Sequence, residues 1–240
     1  MVAPNWFNYK GVSSLDNGII IKSKQTHNGA GRDVTYQSIP GRSGDLIIDN
    51  NRFLNVLVSY TVEILENEAY SLPELTRKIK GWLLSDVGYF RLYDSYDSKY
   101  FRLAACTDEL DISEDVYGIG NCTIAFNCKP FKYAFDGQNN IKLTESGTIT
   151  NPEQYPSRPY IKITGNGDIT LSINNDSFVF SDVDEFIEID SEIMNAFKGA
   201  IPQNNKMRTP FFPSLEPGEN NISWTGNVAG VEIIPRWCCR

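Results

Sequence analysis

The residues of this chain that could perform chemistry are few and poorly grouped. The single histidine, His27, lies in a Gly-rich stretch without a serine, cysteine or acidic motif beside it. A histidine-based triad or a histidine-ligated metal would therefore depend on this one residue. We interpret His27 as a surface histidine.

An acidic cluster in the second half of the chain could bind calcium or cleave a glycoside, because both functions use carboxylates. The cluster lacks the Gly-centred loop of an EF-hand, and apolar residues alternate with its carboxylates. Such alternation is typical of the solvated face of a strand. We therefore predict neither a metal site nor a cofactor, and no enzymatic activity. The cluster comprises Asp182, Asp184, Glu185, Glu188, Asp190 and Glu192.

The stretch Gly165-Asn166-Gly167 resembles the start of a dinucleotide-binding fingerprint. The third glycine is missing, because position 170 is threonine, and the next segment alternates like a strand instead of beginning a helix. We interpret residues 165–168 as the turn of a β-hairpin.

The cysteines are odd in number and lack the spacing of zinc ligands. Cys122 and Cys128 fall on the same face of a predicted strand, which indicates buried free thiols. Synthesis in a reducing cytoplasm is the expectation that fits free thiols.

Composition indicates a soluble globular protein with room for two domains. The chain has 240 residues, 41% of them apolar, and a net charge of −8. Because the chain is acidic and has no basic run, we expect no specific binding of nucleic acid. The N-terminus has no signal-peptide pattern, and no apolar run is long enough to span a bilayer.

Most segments alternate between apolar and polar residues, so the predicted fold is mainly β. The first domain, residues 1–150, is expected to be a β-sandwich-like layer with one helix. Ser71 and Glu74 form a capping-box pattern ahead of apolar residues at helical spacing. Residues 33–48 predict a projecting hairpin with a polar, Gly-rich tip, which forms an arm without a partner nearby in sequence.

A Pro-rich segment, residues 151–159, is predicted to be a stiff connector between the two domains. Pro152, Pro156 and Pro159 disfavour both a helix and a central strand. The second domain, within residues 151–240, shows short alternating segments at the spacing of a small β-sandwich. The strands expected near its end cover residues 220–224 and 231–235.

Four segments, taken in this order, resemble the distal tail protein of long-tailed, non-contractile bacteriophages, a component of the baseplate hub. Residues 7–19 resemble its first strand and turn, and residues 39–46 resemble its Val-Pro-Gly-Arg-Asp-Gly hairpin, with Ser43 where aspartate is common. Residues 151–174 resemble its interdomain segment. Residues 218–237 resemble its final strands and Pro-Arg-Trp ending.

This resemblance implies a structural virion protein at the distal tip of the tail. The N-terminal domains would form a hexameric ring that leaves a channel for DNA, and the C-terminal domain would be a galectin-like β-sandwich on the outside. Implied partners are the tail tube protein, the tail-tip hub or tail-associated protein, and receptor-binding proteins. The subunit interface would include the hairpin residues Val34, Tyr36, Ile39, Arg42 and Leu46.

A different function class is carbohydrate binding by the C-terminal sandwich, for adhesion to a host surface. Trp224 and Trp237 could stack on a sugar ring. Tryptophan in an alternating strand is, however, more often part of the core. A structural hub is therefore the preferred interpretation.

Overall fold

The computed structural model describes residues 4–24 and 28–240, and His27 lies outside these ranges. The fold is mainly β, as the sequence predicts. The chain divides into two compact units, Met1–Lys132 with Arg240 and Tyr133–Cys239. Among the described residues, no helix is long and apolar enough to cross a membrane.

The first unit consists of one large sheet, one helix and a separate hairpin. The strand order of the sheet is β2-β1-β7-β8-β10-β6-β3, and β9 pairs with β10. Its elements are β1 (Phe7–Tyr9), β2 (Val12–Ser13), β3 (Ile19–Lys24), β4 (Arg32–Gln37), β5 (Leu46–Phe53), β6 (Val56–Leu65), α1 (Leu72–Leu84), β7 (Phe90–Asp94), β8 (Tyr100–Ala105), β9 (Ser113–Val116) and β10 (Ile119–Ala134).

This sheet curls until its two ends meet. In the strand order, β1 and β6 are four steps apart, which would separate them by about 19 Å in a flat sheet. The ring centroids of Phe7 and Tyr60 are nevertheless only 5.0 Å apart. The Ile21 N–H also donates a hydrogen bond of 3.1 Å to the carbonyl of Asn5, just before β1. The curled sheet therefore encloses a single core.

Helix α1 packs one apolar stripe against this core. Leu75, Ile79 and Leu83 are fully buried, while the basic residues at the other helical positions are exposed. At the first turn, the Ser71 N–H donates a hydrogen bond of 2.9 Å to the Glu74 carboxylate. The predicted helix is therefore confirmed, with its start at the predicted residues.

The second unit is a bent eight-stranded sheet. The strand order is β11-β18-β13-β15-β16-β17, with β12 paired to β18 and β14 paired to β13. The strands of this sheet are β11 (Ile141–Leu143), β12 (Gly147–Asn151), β13 (Tyr160–Ile173), β14 (Asp176–Val183), β15 (Phe186–Asp190), β16 (Asn195–Lys198), β17 (Ile201–Pro202) and β18 (Gly218–Ile234). A short last strand, β19 (Cys238–Cys239), is not part of it.

The boundary between the units differs from the sequence expectation. We expected it at residues 150 and 151, whereas the units divide between Lys132 and Tyr133. The reason is that β11 and β12 both pair with β18, which lies far along the chain. The Pro-rich segment likewise lies inside the second unit, since Ser157 and Leu215 exchange two backbone hydrogen bonds of 3.0 Å.

Residues 165–168 do not form a hairpin turn, and that interpretation was wrong. They lie within β13, which runs continuously from Tyr160 to Ile173. The pairing register shifts here, so that β13 pairs with β15 before the shift and with β14 after it. A Cβ on Gly165 would lie 2.4 Å from the Asn227 carbonyl oxygen, so only glycine fits at this bend. The opposite strand, β18, is equally continuous, where two separate strands were expected.

Candidate assembly surface: the hairpin arm

Strands β4 and β5 form a two-stranded sheet of their own, separate from the curled sheet. We call residues 32–53 the arm. At its tip the Arg42 N–H donates a hydrogen bond of 3.1 Å to the Ile39 carbonyl, and Gly41 has a φ of +79°. Pro40 and Gly41 thus occupy the central positions of a type II turn, the turn type that a Pro-Gly pair favours. The projecting hairpin predicted from the sequence is confirmed.

Polar contacts hold the base of the arm. Arg32 pairs with Asp49 across the two strands, and Arg52 pairs with Asp33. Asn50 also donates to the Asp33 carboxylate at 3.0 Å. These hydrogen bonds, the one from Asn50 first, lower the pKa of Asp33. Exposed ion pairs contribute little to stability, so the main effect of these pairs is to fix the strand register of the arm.

The outer half of the arm exposes apolar side chains on both faces. Tyr36 lies directly opposite Ile47 on one face, and these side chains are 64% and 60% exposed. On the other face, Leu46 and Ile48 lie opposite Gln37 and Thr35 and are also exposed. A two-stranded hairpin is only marginally stable in water by itself. An arm with two exposed apolar faces therefore has the composition of a surface that is covered in an assembly.

The residues predicted for the interface all lie on this arm. Val34 and Tyr36 share one face, Leu46 lies on the other, and Ile39 and Arg42 lie at the tip. Two further exposed apolar residues of the arm, Ile47 and Ile48, were not among those predicted. The signal was present, because three consecutive apolar residues, 46–48, must place side chains on both faces of a strand.

Several carboxylates of the acidic cluster in the second unit contact basic side chains. Its carboxylates are largely used by neighbouring groups: Lys198 pairs with Asp184 at 2.8 Å, and Arg236 donates two hydrogen bonds of 2.7 and 2.8 Å to Asp190. Within residues 4–24 and 28–240, no group of three or more His, Cys, Asp or Glu side chains could hold a metal ion. The strand face that we expected to be solvated therefore carries several ion pairs.

The Asp190–Arg236 pair gives the second unit a testable dependence on pH. Burial alone would raise the pKa of Asp190, but the Arg236 hydrogen bonds and charge lower it overall. A carboxyl with a lowered folded pKa stabilises the protein above its unfolded pKa, about 3.9, and this stabilisation is lost as the pH falls through the folded value.

We expect Arg236→Ala to lower the free energy of unfolding by roughly 2 kcal/mol at pH 7, since it leaves a half-buried carboxylate unpaired. The loss should shrink in acid, as the pH falls through the lowered folded pKa of Asp190, because the protonated carboxyl no longer pairs with a cation. A series of urea unfolding curves from pH 7 into this acidic range measures the difference. Arg208→Ala is the control, because Arg208 is exposed and its side chain donates to Ser181. An equal loss for the two variants, or a loss independent of pH, would contradict the assignment.

The tryptophans proposed for sugar stacking occupy different environments. Trp237 is only 5% exposed, so no face of its ring is available to a sugar. Trp224 is half-buried and lies opposite Leu171 in the β13–β18 pair. Cys106, Cys122, Cys128 and Cys238 are buried free thiols, and burial raises the pKa of Cys122 to about 11. Thiols with raised pKa values are poor nucleophiles at neutral pH.

Comparison with known proteins finds similarity at the level of fold. No protein-family model matches the sequence, and no curated protein matches it. Among solved structures, the chain resembles SPP1 Dit, described as a paradigm of the hub adsorption apparatus in phages that infect Gram-positive bacteria. The TM-score is 0.74 at 11% identity, over 96% of this chain and 98% of that chain.

A second similar structure comes from the phage p2 baseplate in its activated conformation with Sr. It has a TM-score of 0.51 at 12% identity and covers 97% of both chains. Both likenesses extend over nearly the whole chain, so the two units together, and not one common β-sandwich alone, match these phage proteins. The chain shares the fold of SPP1 Dit.

Proposed function

We propose that this protein is a structural component of a bacteriophage virion, located at the distal tip of the tail. The observation that carries this proposal is the likeness to SPP1 Dit, which extends over 96% of this chain and 98% of that one. A fold of two β units in this order, with an arm on the first, is far more specific than a single sandwich. The proposed role is assembly and not catalysis.

The arm supports a ring built from copies of the first unit. Its apolar faces need a partner, and a closed cyclic arrangement supplies one to every copy without leaving an open end. By the resemblance to distal tail proteins we propose six copies. In such a ring the arm of each copy covers the surface of its neighbour, through Tyr36, Ile39, Leu46, Ile47 and Ile48.

The ring would join the tail tube protein on one side to the tail-tip hub or tail-associated protein on the other. Its opening would let DNA pass, and the net charge of −8 disfavours adhesion of the DNA backbone to the protein. The second unit would be the galectin-like domain, to which receptor-binding proteins could attach.

Electron microscopy of the purified chain and of purified virions tests this function. We expect negatively stained rings of one defined symmetry, and antibody against this chain should label the tail tip. Mass spectrometry of the virions should detect the chain in a fixed ratio to the other tail proteins. Absence of the chain from purified virions would overturn the proposal.

A further inference from the structure

A second exposed apolar feature lies on the first unit, at the tip of the β9–β10 hairpin. Val116 and Ile119 form the last pair of this hairpin, and Tyr117 and Gly118 make the turn. Tyr117 is 90% exposed and Val116 is 59% exposed. We call residues 116–118 the tyrosine knob. A side chain so exposed contributes little to folding, so the core does not explain why an aromatic residue occupies this turn.

The knob is held in one conformation. The Gly118 N–H donates a hydrogen bond of 2.9 Å to the Glu114 carboxylate. On the other side, the Glu66 N–H donates one of 3.0 Å to the Gly118 carbonyl. Gly118 has a φ of +77°, which favours glycine at this position. Since these hydrogen bonds hold the backbone of the turn before any partner arrives, binding through Tyr117 would cost little backbone conformational entropy.

Two carboxylates lie beside the knob. The Glu66 carboxyl carbon lies 3.4 Å from the position that a Cβ on Gly118 would occupy, and Glu114 contacts the turn directly. In the part of the chain that the structure describes, neither of these carboxylates forms an ion pair with a lysine or arginine.

An aromatic anchor inside a charged rim is the arrangement found at binding hot spots, where tyrosine is enriched. The negative rim disfavours nucleic acid and an anionic bilayer, because both carry the same sign of charge. It favours a protein surface with lysine or arginine around an apolar pocket. We infer that the tyrosine knob docks into such a basic pocket on a different protein of the phage tail. In naming a tail protein, this inference rests on the proposed function.

Site-specific photo-cross-linking in assembled virions tests the knob. Benzoyl-phenylalanine placed at position 117 of the full chain should cross-link to a lysine- or arginine-rich segment of another tail protein, identified by mass spectrometry. The matched control places the same residue at Val87, which is 94% exposed and follows Asp86, an aspartate already paired with Lys10. Position 87 should not cross-link to the same segment.

Tyr117→Ala provides the functional readout. We expect a fall of about tenfold or more in the yield of complete tails, with an unchanged melting temperature of the purified chain. Virions that contain the chain but show no cross-link from position 117, or a cross-link only to another copy of this chain, would overturn the inference and leave the proposed function intact. A chain missing from virions would overturn both.

Discussion

Tyr36→Asp is expected to abolish assembly of the purified chain and leave each copy folded. The side chain of Tyr36 is 64% exposed on an arm that forms its own sheet, so the core of the first unit does not depend on it. A carboxylate on the apolar face would have to be desolvated when a neighbour covers the arm, which costs several kcal/mol per ion. In the six-membered ring that we propose, the penalty would be repeated at every interface.

Native mass spectrometry at tens of micromolar compares the wild-type chain with this variant. Ile193→Asp is the matched control, because Ile193 is also 64% exposed but belongs to the second unit and not to the arm. The wild type and the control should form the ring, the variant should be monomeric, and all three should melt at the same temperature. Rings of equal abundance in the variant would show that the arm is not the interface.

Phe126→Ala is expected to cost about 3–5 kcal/mol of unfolding free energy, the largest stability effect that we predict. Phe126 is fully buried, and its ring centroid lies 4.9 Å from Tyr9, 5.6 Å from Phe7 and 6.0 Å from Tyr60. These rings come from three different strands of the curled sheet, so the cavity left by truncation would lie where its two ends meet. Domains of this size have total stabilities of about 5–15 kcal/mol.

Urea unfolding of the full chain measures this loss. The control is Phe211→Ala, because Phe211 is a half-exposed phenylalanine that makes an edge contact with Phe178 in the second unit. Its truncation should cost less than about 1 kcal/mol, within the range of surface substitutions. If both substitutions cost the same, the aromatic cluster does not hold the curled sheet together.

Predictions from local sequence patterns were correct where a short stretch of residues determines its own structure. The Ser71 and Glu74 pair marked the start of the helix, because capping needs only residues within one turn of each other. The Pro-Gly pair at the arm tip produced its type II turn for the same reason. The faces of the arm could also be predicted, since alternation along a strand requires no information about a partner.

The failures all involve partners that lie far apart in sequence. Judged by its neighbours in sequence, Gly165 is a typical turn residue. It lies instead at a bend in β13, where the Asn227 carbonyl of the adjacent strand β18 approaches it closely. The Pro-rich segment suggested a connector, yet Ser157 pairs with Leu215 in the same unit.

The sequence by itself determined that this protein is mainly β, carries one capped helix and projects an arm of exposed apolar residues. Each of these follows from periodicity or turn chemistry, which act over a few residues. Only the tertiary structure decided where the units divide and that the first sheet closes on itself through Phe7 and Tyr60. Those features depend on which strands pair. Pairing between segments far apart in sequence cannot be predicted from the local pattern of either segment.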